Sequence, residues 1–233
     1  MTDRVLPRVT VAVDLVVFTV REGDLHVLLV RRGKPPFSGE LALPGGFVEE
    51  GEDLDEAVER ELKEETGLDS GALHLEQFGA YGTAGRDPRG QVISLAYVAL
   101  MPDLPLPTAG GDAHEAHWIP VSTASAPGAL VAFDHRDILA TAVERVRTNL
   151  EYTTVGAAFC PAEFTVADLR RVYELVWGQA LDPRNFHRKV TGIPDFLVPT
   201  GAKTTRDGGR PAELYRRGVA RLLHPPLLRA HPG

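Results

Sequence analysis

Three glutamates, Glu61, Glu64 and Glu65, stand three and four residues apart in the stretch GGFVEEGEDLDEAVERELKEETGL, residues 45–68. On a helix from about Asp53 to Thr66 this spacing puts them on one side. Leu54, Ala57 and Val58 share that side while Glu56, Glu59 and Lys63 take the opposite one, so the three carboxylates are expected to face inward. Clustered like charges weaken a helix, and desolvating them costs more unless a partner is present. A hard divalent cation fits that need: Mg2+ takes carboxylate oxygens and keeps positions for water and phosphate oxygens, and Mn2+ is the alternative ion.

The neighbouring residues support the acids. Arg60 is placed to pair with Glu52 and so tie the preceding loop to the helix. Gly46 and Gly51 let that loop fold tightly, and Gly67 follows the helix as a left-handed cap.

Gly46, Glu52, Arg60-Glu61-Leu62, Glu64-Glu65 and Gly67-Leu68 together resemble the Nudix box at each of its defined positions. The resemblance implies an α/β fold, an α/β/α sandwich around a mixed sheet, and a Mg2+ site for nucleoside diphosphates linked to another group. In Nudix hydrolases the glutamates matching Glu61, Glu64 and Glu65 bind metal, helped by a backbone carbonyl near Gly45, and water attacks a pyrophosphate phosphorus. Glu64 or Glu65 corresponds to the base, two roles that spacing alone does not separate.

Other polar groups have two readings. GTAGRDPRG, residues 82–90, is a hairpin loop as bare sequence, but next to a pyrophosphate site Arg86 and Arg89 could clamp phosphate or carboxylate oxygens. Arg31 and Arg32, which leave an apolar run ahead of Pro35-Pro36-Phe37, read better as exposed strand-end charge than as phosphate contacts. His114 and His117 have the spacing to share a metal on a helix, but with no third ligand in view the non-metal reading is stronger. Cys160, the single cysteine, excludes an internal disulfide and a multi-cysteine zinc site and reads as a small core residue.

The elements that must carry these groups follow from periodicity. Thr10–Val20 and Leu25–Val30 are apolar, β-branched runs joined by a short turn, hence two buried strands. Leu73–Tyr81 and Gln91–Met101 read as further strands, Pro102–Gly111 as a surface loop, and Trp118-Ile-Pro-Val as a short closing strand. From Asp134-His135 onward, Ile138, Leu139, Ala142, Val143 and Val146 give a helical stripe, with a domain boundary near Asn149–Tyr152.

Beyond that boundary the pattern changes. Thr165 with Asp168 makes a variant capping box, Leu169, Val172, Tyr173 and Val176 form a stripe, and Gly178 ends the helix. Asp182 and Pro183 then start a second helix whose Phe186 and Val190 face one way and whose Arg184, His187 and Arg188 face another. Two strands around GAKTTRDGGR complete the outline of a wing. Pattern alone leaves a groove reader and a helical dimerisation or lid domain equally open.

FTVADLRRVYELVWG, LDPRNFHRK and GRPAELY resemble the winged-helix half of the Nudix-related transcriptional regulators of NAD metabolism, and RDPRG resembles their first half. The resemblance implies a Nudix domain at 1–150 and a winged helix-turn-helix domain at 151–233. It also implies a homodimer on a palindromic double-stranded DNA operator, and ADP-ribose or a related nucleotide as the signal. By position it assigns Arg184, Asn185, His187, Arg188 and Lys189 to the recognition helix, and Lys203, Arg206 and Arg210 to the wing. Some of these regulators have lost parts of the box and with them catalysis, whereas this box is whole, so hydrolysis is expected alongside sensing. The alternative is a plain ADP-ribose pyrophosphatase whose C-terminal region serves assembly.

Composition agrees with both readings. The 233 residues can bury a sizeable core at 43% hydrophobic content. Residues 151–233 hold 12 Lys+Arg and 8 Asp+Glu, a net +4, which leaves −11 for the first 150 out of the total of −7. The start of the chain lacks a basic, apolar leader and its first apolar run is broken by Asp14, so a soluble cytoplasmic protein without membrane association is expected.

Overall fold

The computed structural model describes residues 8–66, 74–102, 116–205 and 211–229. The chain forms two compact units. One comprises Met1–Phe18, His26–Ala99 and Pro105–Ala142, the other Thr19–Leu25, Leu100–Leu104 and Val143–Gly233.

A sheet organises the first part of the chain. β1 (Thr10–Arg21) and β2 (Asp24–Arg31) are the two apolar runs, buried along almost their whole length. The turn between them, Glu22 and Gly23, is left-handed at both residues (φ 51° and 82°), a conformation whose twist matches that of a two-residue hairpin. β3 (Leu41–Ala42), β4 (Gly45–Phe47), β5 (His74–Tyr81), β6 (Val92–Leu100) and β7 (Ala116–Pro120) complete it. The order is β3-β2-β1-β6-β5, with β4 on β1 and β7 on β2. In the β1–β4 register Asp14 lies opposite Gly45 and Val13 opposite Gly46, so a short strand brings the glycine loop against the one acid of β1.

α1 (Leu54–Thr66) starts at a reciprocal cap: the N–H of Glu56 donates to Asp53 Oδ1 (2.9 Å) and the N–H of Asp53 to Glu56 Oε2 (3.0 Å). Its buried side is Ala57, Val58, Glu61 and Leu62. After β7 come a short α2 (Val121–Ala124) and a long α3 (His135–Tyr152), whose Ile138, Leu139, Ala142, Val146 and Leu150 are fully buried.

The expected closing strand is present as β7, and His117 lies in it rather than on a helix. His117 pairs with Leu29 of β2; His114 lies outside the described residues.

In the second unit a 3-10 segment (Thr154–Phe159) leads to α4 (Val166–Trp177) and α5 (Pro183–Thr191). The capping box of Thr165 and Asp168 is formed, and Gly178 closes α4 in the left-handed conformation at φ 68°. Asp182 caps α5 by accepting the N–H of Asn185 at 2.7 Å, with Pro183 in the first turn. Tyr173, Phe186, Val190 and Phe196 form the core, with the Tyr173 and Phe186 rings edge-on at 5.1 Å. β8 (Leu197–Thr204) and β9 (Ala212–Arg217) make an antiparallel ribbon, pinned where Phe164 and Tyr215 exchange backbone hydrogen bonds (3.0 and 2.8 Å). Among the described residues no helix is long and apolar enough to cross a membrane.

Candidate functional site

The acidic helix and the glycine loop meet as the box requires. The guanidinium of Arg60 donates from Nε to Glu52 Oε1 (2.7 Å) and from Nη2 to Glu52 Oε2 (2.9 Å) and the Phe47 carbonyl (3.1 Å), fastening the loop to α1. Those bonds pull the Glu52 carboxyl down to about 2 and hold Arg60 above its ordinary value. Nη1 of Arg60 also reaches Glu61 (2.6 Å) and, more distantly, Glu64 (3.6 Å), so two carboxylates converge on one cationic nitrogen.

The three glutamates do not share one environment. Glu61 is 7% exposed, and burial raises its pKa against the opposing pull of Arg60. The Glu64 side chain is 58% exposed, which corrects the expectation that all three face inward. Glu64 lies about a quarter turn from the middle of the buried stripe at 3.6 residues per turn, so it stands at the rim. Glu65 belongs to α1, but its side chain lies outside the described residues, as does Gly67.

Glycine is required beside Glu61. A Cβ on Gly46 would collide with the Glu61 carboxylate, and one on Gly45, at φ 152°, would strike the Val13 carbonyl. Glu61 stands at this cradle, and Glu64 approaches the same Arg60 nitrogen; carboxylate oxygens are the donor type that a hard divalent cation takes. Among the described residues no three His, Cys, Asp or Glu side chains stand together as a metal cluster.

Alongside lies a cleft lined by Asp14, Arg32, Phe47, Arg86, Arg89, Phe133 and His135, together with Gly45 and Gly46. At its base is a polar network around Asp14, which is 7% exposed. Asp14 accepts from the Ser94 hydroxyl and from Nη2 of Arg86 (3.4 Å), and its Oδ1 lies 3.4 Å from Nε2 of His135. The N–H of Leu43 donates to Nδ1 of His135 at 2.9 Å, which makes Nδ1 the acceptor and leaves the proton on Nε2. Burial lowers the His135 pKa, so the ring is neutral.

The two arginines of RDPRG differ. Arg86 is buried, its side chain 5% exposed, and grips Asp134 through Nε (2.8 Å) and Nη2 (2.6 Å). Burial opposes its charge, but the bonds to Asp134 and the proximity of Asp14 more than offset this and raise its pKa. Arg89 is 42% exposed, held by Asp87 at 2.6 Å, and lies over the rings of Phe47 (4.6 Å) and Phe133 (5.5 Å). Arg31 and Arg32 are not merely strand-end charge either: Arg31 donates to the Gly39 carbonyl (2.8 Å) and Arg32 to that of Pro36 (2.9 Å), with Arg32 over the Phe133 ring at 4.7 Å.

In the second unit Arg184, Asn185, His187, Arg188 and Lys189 are all exposed on α5 while Phe186 and Val190 anchor it, and Arg188 donates to the Asn185 side chain at 2.9 Å. Lys203 is exposed on β8; Arg206 and Arg210 lie outside the described residues.

Sequence reasoning missed Asp14, Ser94, Asp134 and His135 as site residues. The available signal was Asp14 itself, a lone acid inside the apolar run TVAVDLVVF.

The sequence model of the NUDIX domain matches residues 9–142, more than half of the chain. The chain belongs to the NUDIX family. In this NUDIX protein residues 156–217 match a second model, the NrtR DNA-binding winged helix domain, so a mixed-sheet NUDIX fold is followed by a winged helix. It is 34% identical over 212 residues, 90% of this chain and 82% of the relative, to the "ADPR responsive transcriptional repressor NtrR" of Acinetobacter baylyi. Its structure resembles that of Shewanella oneidensis NrtR complexed with a 27mer DNA, with a TM-score of 0.77 at 32% identity over 91% of this chain and 99% of the other. The NUDIX part is also 43% identical over 129 residues to the "ADP-ribose pyrophosphatase" of Methanocaldococcus jannaschii, 55% of this chain and 70% of that protein. Nudix hydrolases use divalent metal ions, in keeping with the oxygen donors beside Gly46.

Proposed function

We propose that this NUDIX protein is an ADP-ribose-responsive, DNA-binding transcriptional repressor that retains a Mg2+-dependent pyrophosphohydrolase site. The observation that carries the reading is α5. Its exposed Arg184, Asn185, His187, Arg188 and Lys189 sit on a helix anchored by Phe186 and Val190, in a chain similar to Shewanella oneidensis NrtR over 91% of its length. A capped, basic second helix next to a β-ribbon is the arrangement that reads a major groove, with the helix meeting base edges and the ribbon the backbone. Lys203, Arg206 and Arg210 fall to the wing. The NUDIX module is 1–150 and the DNA reader 151–233, acting as a cytoplasmic homodimer on a two-fold operator of genes of NAD metabolism.

Glu61, Glu64 and Glu65, with the Gly45 carbonyl, would hold the ion, Mg2+ first and Mn2+ as the alternative. When bound, such an ion supplies Lewis-acid polarisation of a pyrophosphate and acidifies water. Arg60 and Glu52 orient the loop and α1 with respect to each other. Glu64, at the rim and solvated, is the better placed of the described carboxylates to accept a proton; Glu65 shares that assignment. The cleft with Arg86 and Arg89 would receive the nucleotide.

A gel-shift titration on the upstream region of the protein's own gene and on promoters of NAD metabolism, with and without ADP-ribose and scored together with AMP release, tests this. DNA released by ADP-ribose supports the repressor. Absence of sequence-selective binding at each of these promoters would sink it.

A second reading, a plain ADP-ribose pyrophosphatase, draws on the intact box and on the similarity to the Methanocaldococcus jannaschii enzyme. Turnover without DNA binding would favour it. Turnover unchanged in both Glu64→Gln and Glu65→Gln would remove the assigned base.

A further inference from the structure

We propose that Arg170 and Glu174 are positioning residues for DNA selection: together they grip the backbone of Leu181, the residue ahead of the Asp182 cap, and so set the angle at which the first turn of α5 meets the bases. This rests on the reading of α5 as the groove-facing helix and deepens it by naming two residues, neither on α5 nor on the wing, that decide how sharply it discriminates.

Gly178, Gln179, Ala180 and Leu181 join α4 to the cap of α5. The backbone polar groups of such a turn need partners, and α4 supplies them. The Glu174 carbonyl takes the N–H of Gly178 and, at 3.2 Å, that of Gln179. The N–H of Leu181 donates to Glu174 Oε1 at 2.9 Å, and Nη1 of Arg170 donates to the Leu181 carbonyl at 3.3 Å. The same Nη1 donates to Glu174 Oε1 at 2.8 Å. Both polar groups of one backbone residue are therefore bound by one ion pair.

The pair is not accounted for as a helix stabiliser. Arg170 precedes Glu174 by one turn, the less favourable order for an i,i+4 pair, since the helix dipole favours the acid first. The two side chains are only 27% and 23% exposed, so their bonds to Leu181 are better shielded from water than those of a solvated surface pair.

Phe186 and Val190 already dock α5, but apolar burial has no direction. Hydrogen bonds do, and those on Leu181 act one residue before Asp182, whose side chain accepts the N–H of Asn185 at 2.7 Å. The grip thus reaches the turn that carries Arg184 and Asn185. The first residues of a reading helix are the ones that meet base edges, so releasing Leu181 costs discrimination between sequences before it costs attachment to phosphates.

Binding of the full chain to a duplex from the upstream region of its own gene, and to a scrambled duplex of the same composition, tests the grip, with the ratio of the two affinities as the readout. Arg170→Ala and Glu174→Ala should each lower that ratio about tenfold, and the double variant should lower it no further, because both side chains act on one residue. Arg170→Lys keeps the charge but not the fork, and its ratio should fall as well, which loss of charge alone would not produce. Glu174→Gln keeps an acceptor for the Leu181 N–H and should hold the ratio within about threefold of wild type. Thr165→Ala removes the cap at the other end of α4, so it should lower the melting temperature and leave the ratio unchanged.

A ratio unmoved in either alanine variant overturns the grip and leaves α5 as the reader. So does a Thr165→Ala ratio that falls in step with the melting temperature, since selectivity would then follow stability alone, and so does a Glu174→Gln ratio as low as that of Glu174→Ala. Where the wild type prefers the promoter duplex but Asn185→Ala and Arg188→Ala both leave the ratio unchanged, the reading of α5 fails and the grip with it. A wild type without that preference also overturns both.

Discussion

The Glu61 carboxylate occupies the space where a side chain on Gly46 would begin. Loop and helix are thus locked at one point, and the glycine is required by its neighbour rather than by its own backbone angles. Gly46→Ala should destabilise the protein by about 1–3 kcal/mol through overpacking, read as a lower midpoint in urea with an unchanged slope.

His135 gives a pH dependence of defined sign. Its folded-state pKa lies below the ordinary 6.5 because burial disfavours the charged ring, against the attraction of Asp14 and Asp134 and together with repulsion from Arg86 and Arg32. The unfolded chain then binds a proton first, so the contribution is intact above about pH 6.5 and is lost as the pH falls toward the depressed value. Stability measured from pH 8 to 5 should decline below 6.5, and the decline should be shallower in His135→Gln, which keeps an acceptor for the Leu43 N–H. An equal decline in both proteins would assign the acid sensitivity elsewhere.

Thr165 accepts the N–H of Asp168 at 3.1 Å while Asp168 accepts the N–H of Thr165 at 2.8 Å. Thr165→Ala should cost about 1 kcal/mol, visible in thermal denaturation. Asp168→Ala in the same helix should show a comparable loss, since the two bonds form one cap.

On DNA, Arg188→Ala should cost about 1–3 kcal/mol and relax preference at one base position, whereas Lys203→Ala should weaken all sequences alike and reduce the salt slope by about one. Gel shifts at two salt concentrations on specific and scrambled duplexes separate these outcomes. A uniform loss from Arg188→Ala would make it a phosphate contact.

The parts of the fold that were legible in the sequence are those decided locally. The Thr165 and Asp182 caps, the Gly178 stop and the Arg60–Glu52 tie all rest on residues within a few turns of each other, and each is present. The Asp14 network was not legible because it joins positions as far apart as 80 residues, Ser94 to Asp14, and 92 residues, His135 to Leu43; no local period encodes them. The inward orientation assigned to Glu64 failed for a geometric reason: a stripe drawn from i, i+3, i+4 spacing has margins, and Glu64 falls on one. His117 lies in a strand paired with β2, a long-range pairing that its spacing from His114 does not encode.

Arg60 has a further consequence for the proposed metal site. Because this side chain already supplies a built-in counter-charge to Glu61, the chain has no need of a divalent ion to keep its acidic helix docked. Under the proposed reading, chelation should therefore silence hydrolysis and leave the melting curve nearly unmoved, so that removing a divalent ion separates turnover from the stability of the fold.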